Sequence, residues 1–201
     1  MRLGLLILLL VPLAGGGAQA SPVQARATAR ANDRYDPTFR RYSKRYFGAG
    51  FDWFLFKAQA MAESELNPDA RSWVGARGLM QLMPSTFQAI QTKRPEFASI
   101  DDPEWNIAAG IMHDRYLWRL WGREIGEGEL IPFMLGSYNA GEGTIGRAAA
   151  AARASQLDAT LWPNIEHVAP SVPRWRYRET LGYVKKIDGN IARLRSNKPR
   201  G

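Results

Sequence analysis

Between Gly50 and Asn67 the chain reads FDWFLFKAQAMAESEL, a segment that puts apolar side chains on nearly every side of a helix. A helix with no polar face is stable in water only as the buried centre of its domain, so the rest of the chain must wrap around residues 51–66. Asn67-Pro68 is the expected stop of this helix. Near its end stands an acid, Glu63, on one stripe with Asp52, Phe56 and Gln59 at the spacing i, i+4, i+7 and i+11. Three effects raise its proton affinity: apolar neighbours, the negative end of the helix dipole, and Glu65 as a like-charge neighbour. A carboxyl kept protonated near neutrality meets the requirement for a general acid. Helical position alone also fits a solvated residue at a helix end.

The wrapping elements follow from periodicity. Tyr35, Phe39, Tyr42, Tyr46 and Phe47 recur at three-to-four-residue spacing, which predicts an amphipathic helix ended by Gly48 and Gly50. Further helices are expected over 84–92, with Ser85 or Thr86 near the start, and over 104–121, 129–138, 142–156 and 175–195. No segment alternates with period two in β-branched residues, so no large sheet is expected. The glycine-rich breaks at 75–78, 126–128 and 141–146 read as turns, as does the proline-rich stretch 163–173. A chain of 201 residues, 45% hydrophobic and 23% charged, can bury one sizeable core and is short for two. The prediction is a mainly α, compact single domain over 35–195, followed by a tail at 196–201.

Arg2 precedes an apolar stretch over 3–14, and Ala18-Gln19-Ala20 has the small-x-small form that signal peptidase cleaves. Residues 1–20 therefore read as a signal peptide and Ser21 as the mature start. The apolar stretch, interrupted by Gly4 and Pro12, is short of the roughly 20 residues that span a bilayer. Residues 21–34 lack apolar periodicity and read as a flexible leader. The expected product is a periplasmic monomer, soluble or associated with the outer membrane or wall, without a stable membrane anchor after signal removal. With no cysteine, neither a lipid-modified cysteine nor a disulfide framework is possible.

The formal net charge of +8 favours a polyanionic partner. No nucleic-acid readout motif accompanies the basic residues, and an exported chain meets cell wall and anionic headgroups first, so no nucleic acid is expected as a partner. The two histidines, His113 and His167, lack His-x-x-x-His spacing, which leaves a metal site little to build on. There is no Gly-x-Ser-x-Gly elbow, and GAGF and GEGTIG lack the ending of a P-loop. Nothing implies a cofactor or a metal.

The stretch ESELNPDARSWVGARGLMQLMP resembles the opening catalytic motif of the soluble-type (SLT) lytic murein transglycosylases. That motif has a Glu-Ser pair, then Asn-Pro, then Ser-x-x-Gly-Ala-x-Gly-Leu-Met-Gln. Here the matches are Glu63-Ser64, Asn67-Pro68, Ser72, Gly75-Ala76 and Gly78-Leu79-Met80-Gln81, without a gap. Two further blocks follow in the family's order, SYNAGEGTIGRA at 137–148 and ETLGYVKKI at 179–187. The resemblance covers about residues 35–195 and is closest to the catalytic module of the membrane-bound lytic transglycosylase F type, whose lead-in the stretch YDPTFRRYSKRY of this chain also resembles. The second domain that precedes the module in that type is not expected here.

The resemblance implies a goose-type, lysozyme-like helical fold with a substrate groove, and peptidoglycan glycan strands as the partner. It implies cleavage of the β-1,4 bond between N-acetylmuramic acid and N-acetylglucosamine. Glycosidases usually flank the bond with two carboxylates, and none of these blocks places an obvious second one. In the family one Glu acts with the substrate's own acetamido group. Glu63 would be the acid and then the base that closes a 1,6-anhydromuramoyl end, a lyase reaction that consumes no water. A muramidase hydrolysing the same bond and a non-catalytic wall-binding protein are the alternatives.

The resemblance also assigns substrate-binding roles. Ser72 matches the serine that holds the reacting sugar, and is equally at home as a turn residue. Gln81 and Met83 match groove residues, while Met80 and Leu82 read as core. Tyr138 matches the tyrosine that supports the acetamido group, and Asn139 either binds or shapes the turn with Gly141. Glu179 matches a late glutamate of the sugar cleft, with a salt bridge to Arg176 or Arg178 as the other reading. Tyr183 lies one helical turn further on and can face the same cleft. Three positions depart from the pattern: His113 and Leu181 replace a common tyrosine and arginine, and Trp73 a common proline. Trp162, Trp175 and Tyr177 fit either a glycan groove or the core, and the core is the commoner place for aromatic clusters.

Overall fold

The computed structural model describes residues 33–196. The signal peptide and almost all of the leader and tail expected from the sequence lie outside the described residues.

Helix α1 (Asp36–Phe47) buries Phe39 and Tyr42 and turns Arg40, Arg41, Lys44 and Arg45 outward. Gly48 ends it at φ 100°, a conformation that costs glycine little. Helix α2 (Phe54–Ser64) is the predicted central helix and is buried on nearly every side. Even Lys57 is buried, its ammonium paired with Asp33 and Asp36, each at 2.7 Å.

The bounds of α2 are tighter than the sequence suggested. Asp52 stands ahead of the helix, where its Oδ1 accepts from Phe54 N at 3.0 Å. It therefore leaves the stripe, while its Oδ2 meets Arg195 at 2.6 Å. At the other end Glu65 and Leu66 turn left-handed, at φ 55° and 63°, before Asn67-Pro68 is reached.

Helix α3 (Pro84–Lys93) starts on its own proline rather than on a Ser85 or Thr86 cap. Helix α4 (Pro103–Trp121) is capped by Asp102, whose side chain accepts from Glu104 N and Trp105 N. A 3-10 turn (Glu127–Glu129) leads into α5 (Leu130–Ala140), a second helix buried nearly throughout, and α6 (Glu142–Ala154) follows. The stretch read as a proline-rich turn is in fact helix α7 (Trp162–Val168) with a 3-10 turn (Ala169–Ser171). Pro163 sits in the first turn, where a missing N–H breaks no helical bond, and Trp162 N donates to Glu129 Oε2 at 2.8 Å. Helix α8 (Tyr177–Ser196) closes the fold.

Helix α8 packs along α2, α5 packs on α4, α6 and α8, and α1 covers α4 and touches α2. The core thus lies among α2, α4 and α5. Among the described residues the extended pairing is two isolated bridges, Arg71 with Arg77 and Arg77 with Leu82, which fold residues 70–82 into a tight loop. That loop crosses the end of α2 and rests on α4. Asn106 of α4 pins it, accepting from Met80 N at 2.8 Å and donating to Arg77 O and Ile100 O at 2.9 Å each. Gly78 makes the approach possible, since a Cβ there would lie 2.4 Å from the Asn106 amide.

Candidate active site

The last turn of α2 carries Glu63, 6% exposed. Its Oε1 accepts from the Tyr183 hydroxyl of α8 at 2.6 Å, while Oε2 is buried without a hydrogen-bond partner. Burial raises its pKa to about 8, against the pull of the Tyr183 hydrogen bond and the Lys186 charge and with a push from Glu179. The like-charge neighbour is therefore Glu179, not Glu65, which is exposed at the left-handed end of α2. Lys186 sits over the same helix end, donating to Ala62 O at 3.2 Å.

The loop 70–82 forms the facing wall. Ser64 donates to Leu79 O at 2.9 Å, and the Tyr138 hydroxyl of α5 donates to Met80 O at 2.8 Å. Tyr138 is buried, and His113 of α4 packs on its ring at a centroid distance of 5.3 Å. On the outer side His113 stacks with the exposed Tyr116 at 6.0 Å. Loss of hydration lowers the His113 pKa to about 4, against the pull of Glu142, so the imidazole is neutral at physiological pH.

The other sequence-derived site residues fall into two groups. Tyr138 and Tyr183 converge on Glu63 and the loop that faces it, and Glu179 stands within electrostatic reach of Glu63. Glu179 also pairs with Arg176 at 3.5 Å and lines an open recess with Trp175, Arg176, Tyr177 and Arg178. Gln81 turns the other way: at φ 43° its amide nitrogen donates to Ala70 O and Gly78 O, so it braces the loop from inside. Ser72 closes the turn, with Oγ accepting from Ala76 N at 2.9 Å and its own proton left to donate. Met83 is half-buried just ahead of α3, and Asn139 is buried beside Gly141 at φ 82°. Met80, Leu82, Trp162 and Trp175 are core, as the commoner reading had it, whereas Trp73 is 66% exposed.

Sequence reasoning missed a buried polar pair under Glu63. Gln59 Nε2 donates to Asp114 Oδ1 at 3.3 Å, and both side chains are completely buried. Burial holds the Asp114 carboxyl well above the usual carboxylate range, against the Gln59 hydrogen bond and with the help of the Glu63 charge. The available signal was an acid inside the apolar run NIAAGIMHD, and Gln59 one turn before Glu63 on the same stripe. Among the described residues no group of three or more His, Cys, Asp or Glu is placed to hold a metal.

Residues 40–160 match the family model described as the transglycosylase SLT domain. The chain belongs to this family. Among curated relatives, the membrane-bound lytic murein transglycosylase F of Vibrio cholerae is 33% identical to this SLT protein over 169 residues, 81% of this chain and 30% of its own. The enzyme of the same name from Shewanella pealeana is 31% identical over 165 residues, 80% of this chain and 32% of its own. The SLT chain thus spans about a third of the length of the curated relatives it matches. Among solved structures, the 70 kDa soluble lytic transglycosylase of Escherichia coli superposes with a TM-score of 0.61 at 28% identity, over 87% of this chain and 26% of that one. An inactive mutant of lytic transglycosylase Slt from Pseudomonas aeruginosa superposes at 0.64 with 24% identity, over 85% and 26%, a likeness of fold. The helical, lysozyme-like fold expected of an SLT domain is the one these neighbours share.

Proposed function

We propose that this SLT protein is a peptidoglycan lytic transglycosylase, cutting the β-1,4 bond between N-acetylmuramic acid and N-acetylglucosamine and leaving a 1,6-anhydromuramoyl end. The observation that carries the reading is the state of Glu63. One oxygen is held by the Tyr183 hydroxyl, the other is buried and unpartnered, and burial keeps a proton on the carboxyl to about pH 8. The proton belongs on Oε2, the oxygen that Tyr183 does not occupy.

Glu63 gives this proton to the bridging oxygen as the C1–O bond breaks. The acetamido carbonyl oxygen of the muramoyl residue bonds to C1 in its place, so no second carboxylate is needed. Glu63, now a carboxylate, takes the proton from the C6 hydroxyl, and O6 displaces the acetamido oxygen from C1. The acid is regenerated and no water is used. Tyr138, whose own proton is committed to Met80 O, has its oxygen available to accept from the acetamido N–H. Ser72 donates its hydroxyl to the sugar, and Glu179 meets the glycan strand from the open recess that it lines with Trp175 and Tyr177.

The basic composition suits a wall of anionic polymer, and the N-terminal signal pattern suits a periplasmic or wall-associated location. Among the described residues no helix is long and apolar enough to cross a membrane. The test is mass spectrometry of muropeptides released from purified sacculi by the wild type and by Glu63→Gln. Anhydromuramoyl products from the wild type alone are expected. Reducing-end products would make it a muramidase, and binding without release a wall-binding protein.

A further inference from the structure

Under Glu63 the structure holds a second acid that the reaction above does not use. Asp114 on α4 faces Gln59 on α2, and neither side chain is exposed at all. One contact joins them, from Gln59 Nε2 to Asp114 Oδ1 at 3.3 Å. The two remaining oxygens, Gln59 Oε1 and Asp114 Oδ2, are both buried and both without a hydrogen-bond partner. As long as Asp114 is a carboxylate these are two acceptors, which cannot satisfy each other. The anion would also lie among Glu63 on α2, Tyr138 on α5 and Tyr183 on α8, with an amide N–H for its partner.

One proton removes each of these conflicts. Placed on Asp114 Oδ2, it makes a donor that Gln59 Oε1 accepts, and the pair becomes an acid–amide ring with two antiparallel hydrogen bonds. We propose that Asp114 keeps this proton and closes the ring with Gln59, so that the pair is a neutral positioning floor beneath Glu63 and not a second anion in the site. The inference rests on the reading of Glu63 as acid and then base. Glu63 must lose and regain one proton per turnover beside Asp114, Tyr138, Tyr183, Glu179 and Lys186. A second carboxylate in the same dry pocket would oppose every ionisation of Glu63. A neutral ring keeps Asp114 from opposing the ionisation of Glu63, and it fixes the helix turn from which Glu63 projects.

The ring predicts opposite results for two substitutions. Asparagine copies the ring face of a protonated aspartic acid, with an acceptor and a donor in the same places and a second N–H pointing away from the ring. Asp114→Asn is expected to keep kcat/KM within roughly twofold and to leave the alkaline limb of the pH–rate profile where it is in the wild type. Asp114→Ala strands both ends of the Gln59 amide, and turnover is expected to fall roughly tenfold. If Asp114 is an anion, Asp114→Asn removes a negative charge beside Glu63 and the limb moves to lower pH. That shift, or wild-type turnover in Asp114→Ala, overturns the proposal.

An infrared difference spectrum of wild type minus Asp114→Asn at neutral pH reads the proton without any turnover, and stands even if Asp114→Ala does not fold. Loss of a buried carboxylic acid C=O band is expected, and loss of carboxylate bands refutes the ring. A wild type that releases no anhydromuramoyl product defeats the reading of Glu63, while the infrared band still decides the proton on Asp114.

Discussion

Glu63 holds its proton in the folded protein to about pH 8, whereas an unfolded chain releases it near the ordinary value of 4.5. The folded pKa is raised, so its cost is absent below pH 4.5, accumulates as pH rises to about 8 and is constant beyond. Glu63→Gln carries no such cost. Its advantage over the wild type in urea unfolding is expected to be small near pH 4.5 and to reach a few kcal/mol at about pH 8. An advantage that does not change with pH would contradict the burial argument. Tyr183 acts on the same carboxyl in the other direction, because its 2.6 Å hydrogen bond favours the ionised form. Tyr183→Phe is expected to move the alkaline limb of the pH–rate profile upward and to lower kcat roughly tenfold, since Glu63 is then neither tuned nor held. A limb that moves down would mean that the tyrosine serves another group.

At the scale of elements, the piece that decides the site's shape is the loop 70–82, which has no strand ladder or helix of its own. Its order comes from side chains that reach across it: Gln81 from inside, Ser64 from α2, Tyr138 from α5 and Asn106 from α4. Asn106 is buried and makes three bonds to backbone groups, so Asn106→Ala leaves Met80 N, Arg77 O and Ile100 O wanting partners. A loss of about 3 kcal/mol in chemical unfolding is expected, together with weakened activity, because Met80 also presents the carbonyl that holds Tyr138. The sequence announced most helices, because a buried face leaves a period. It concealed α7, where prolines look like breakers although Pro163 occupies the one turn that accepts it. It also concealed the role of Gln81, since a motif position says which residue is present and not which way a left-handed backbone turns it.

At the scale of the whole molecule, the site is assembled from contacts between distant segments. That Tyr183 meets Glu63 and Tyr138 meets the facing loop was legible because short motifs carry all three residues. The Gln59–Asp114 pair was not, because its members are 55 positions apart and each looks like a single polar residue in an apolar run. The same separation gives α8 an importance that the family match, ending at residue 160, does not convey. Helix α8 supplies Tyr183 and Lys186 at the acid, and Asn190 donates to Ala58 O at 3.0 Å across 132 positions. It also buries Tyr183, Val184 and Ile187 against a helix that has no polar face to offer water. Those three side chains alone contribute roughly 6 kcal/mol, comparable with the whole stability of a small domain. A chain truncated after Val172 keeps every residue of the family match and Glu63 itself. It is nevertheless expected to lose near-ultraviolet circular dichroism and cooperative melting along with muropeptide release. Cooperative melting that survives the truncation would mean that α2, α4 and α5 form a core without α8, and that the last helix serves the site alone.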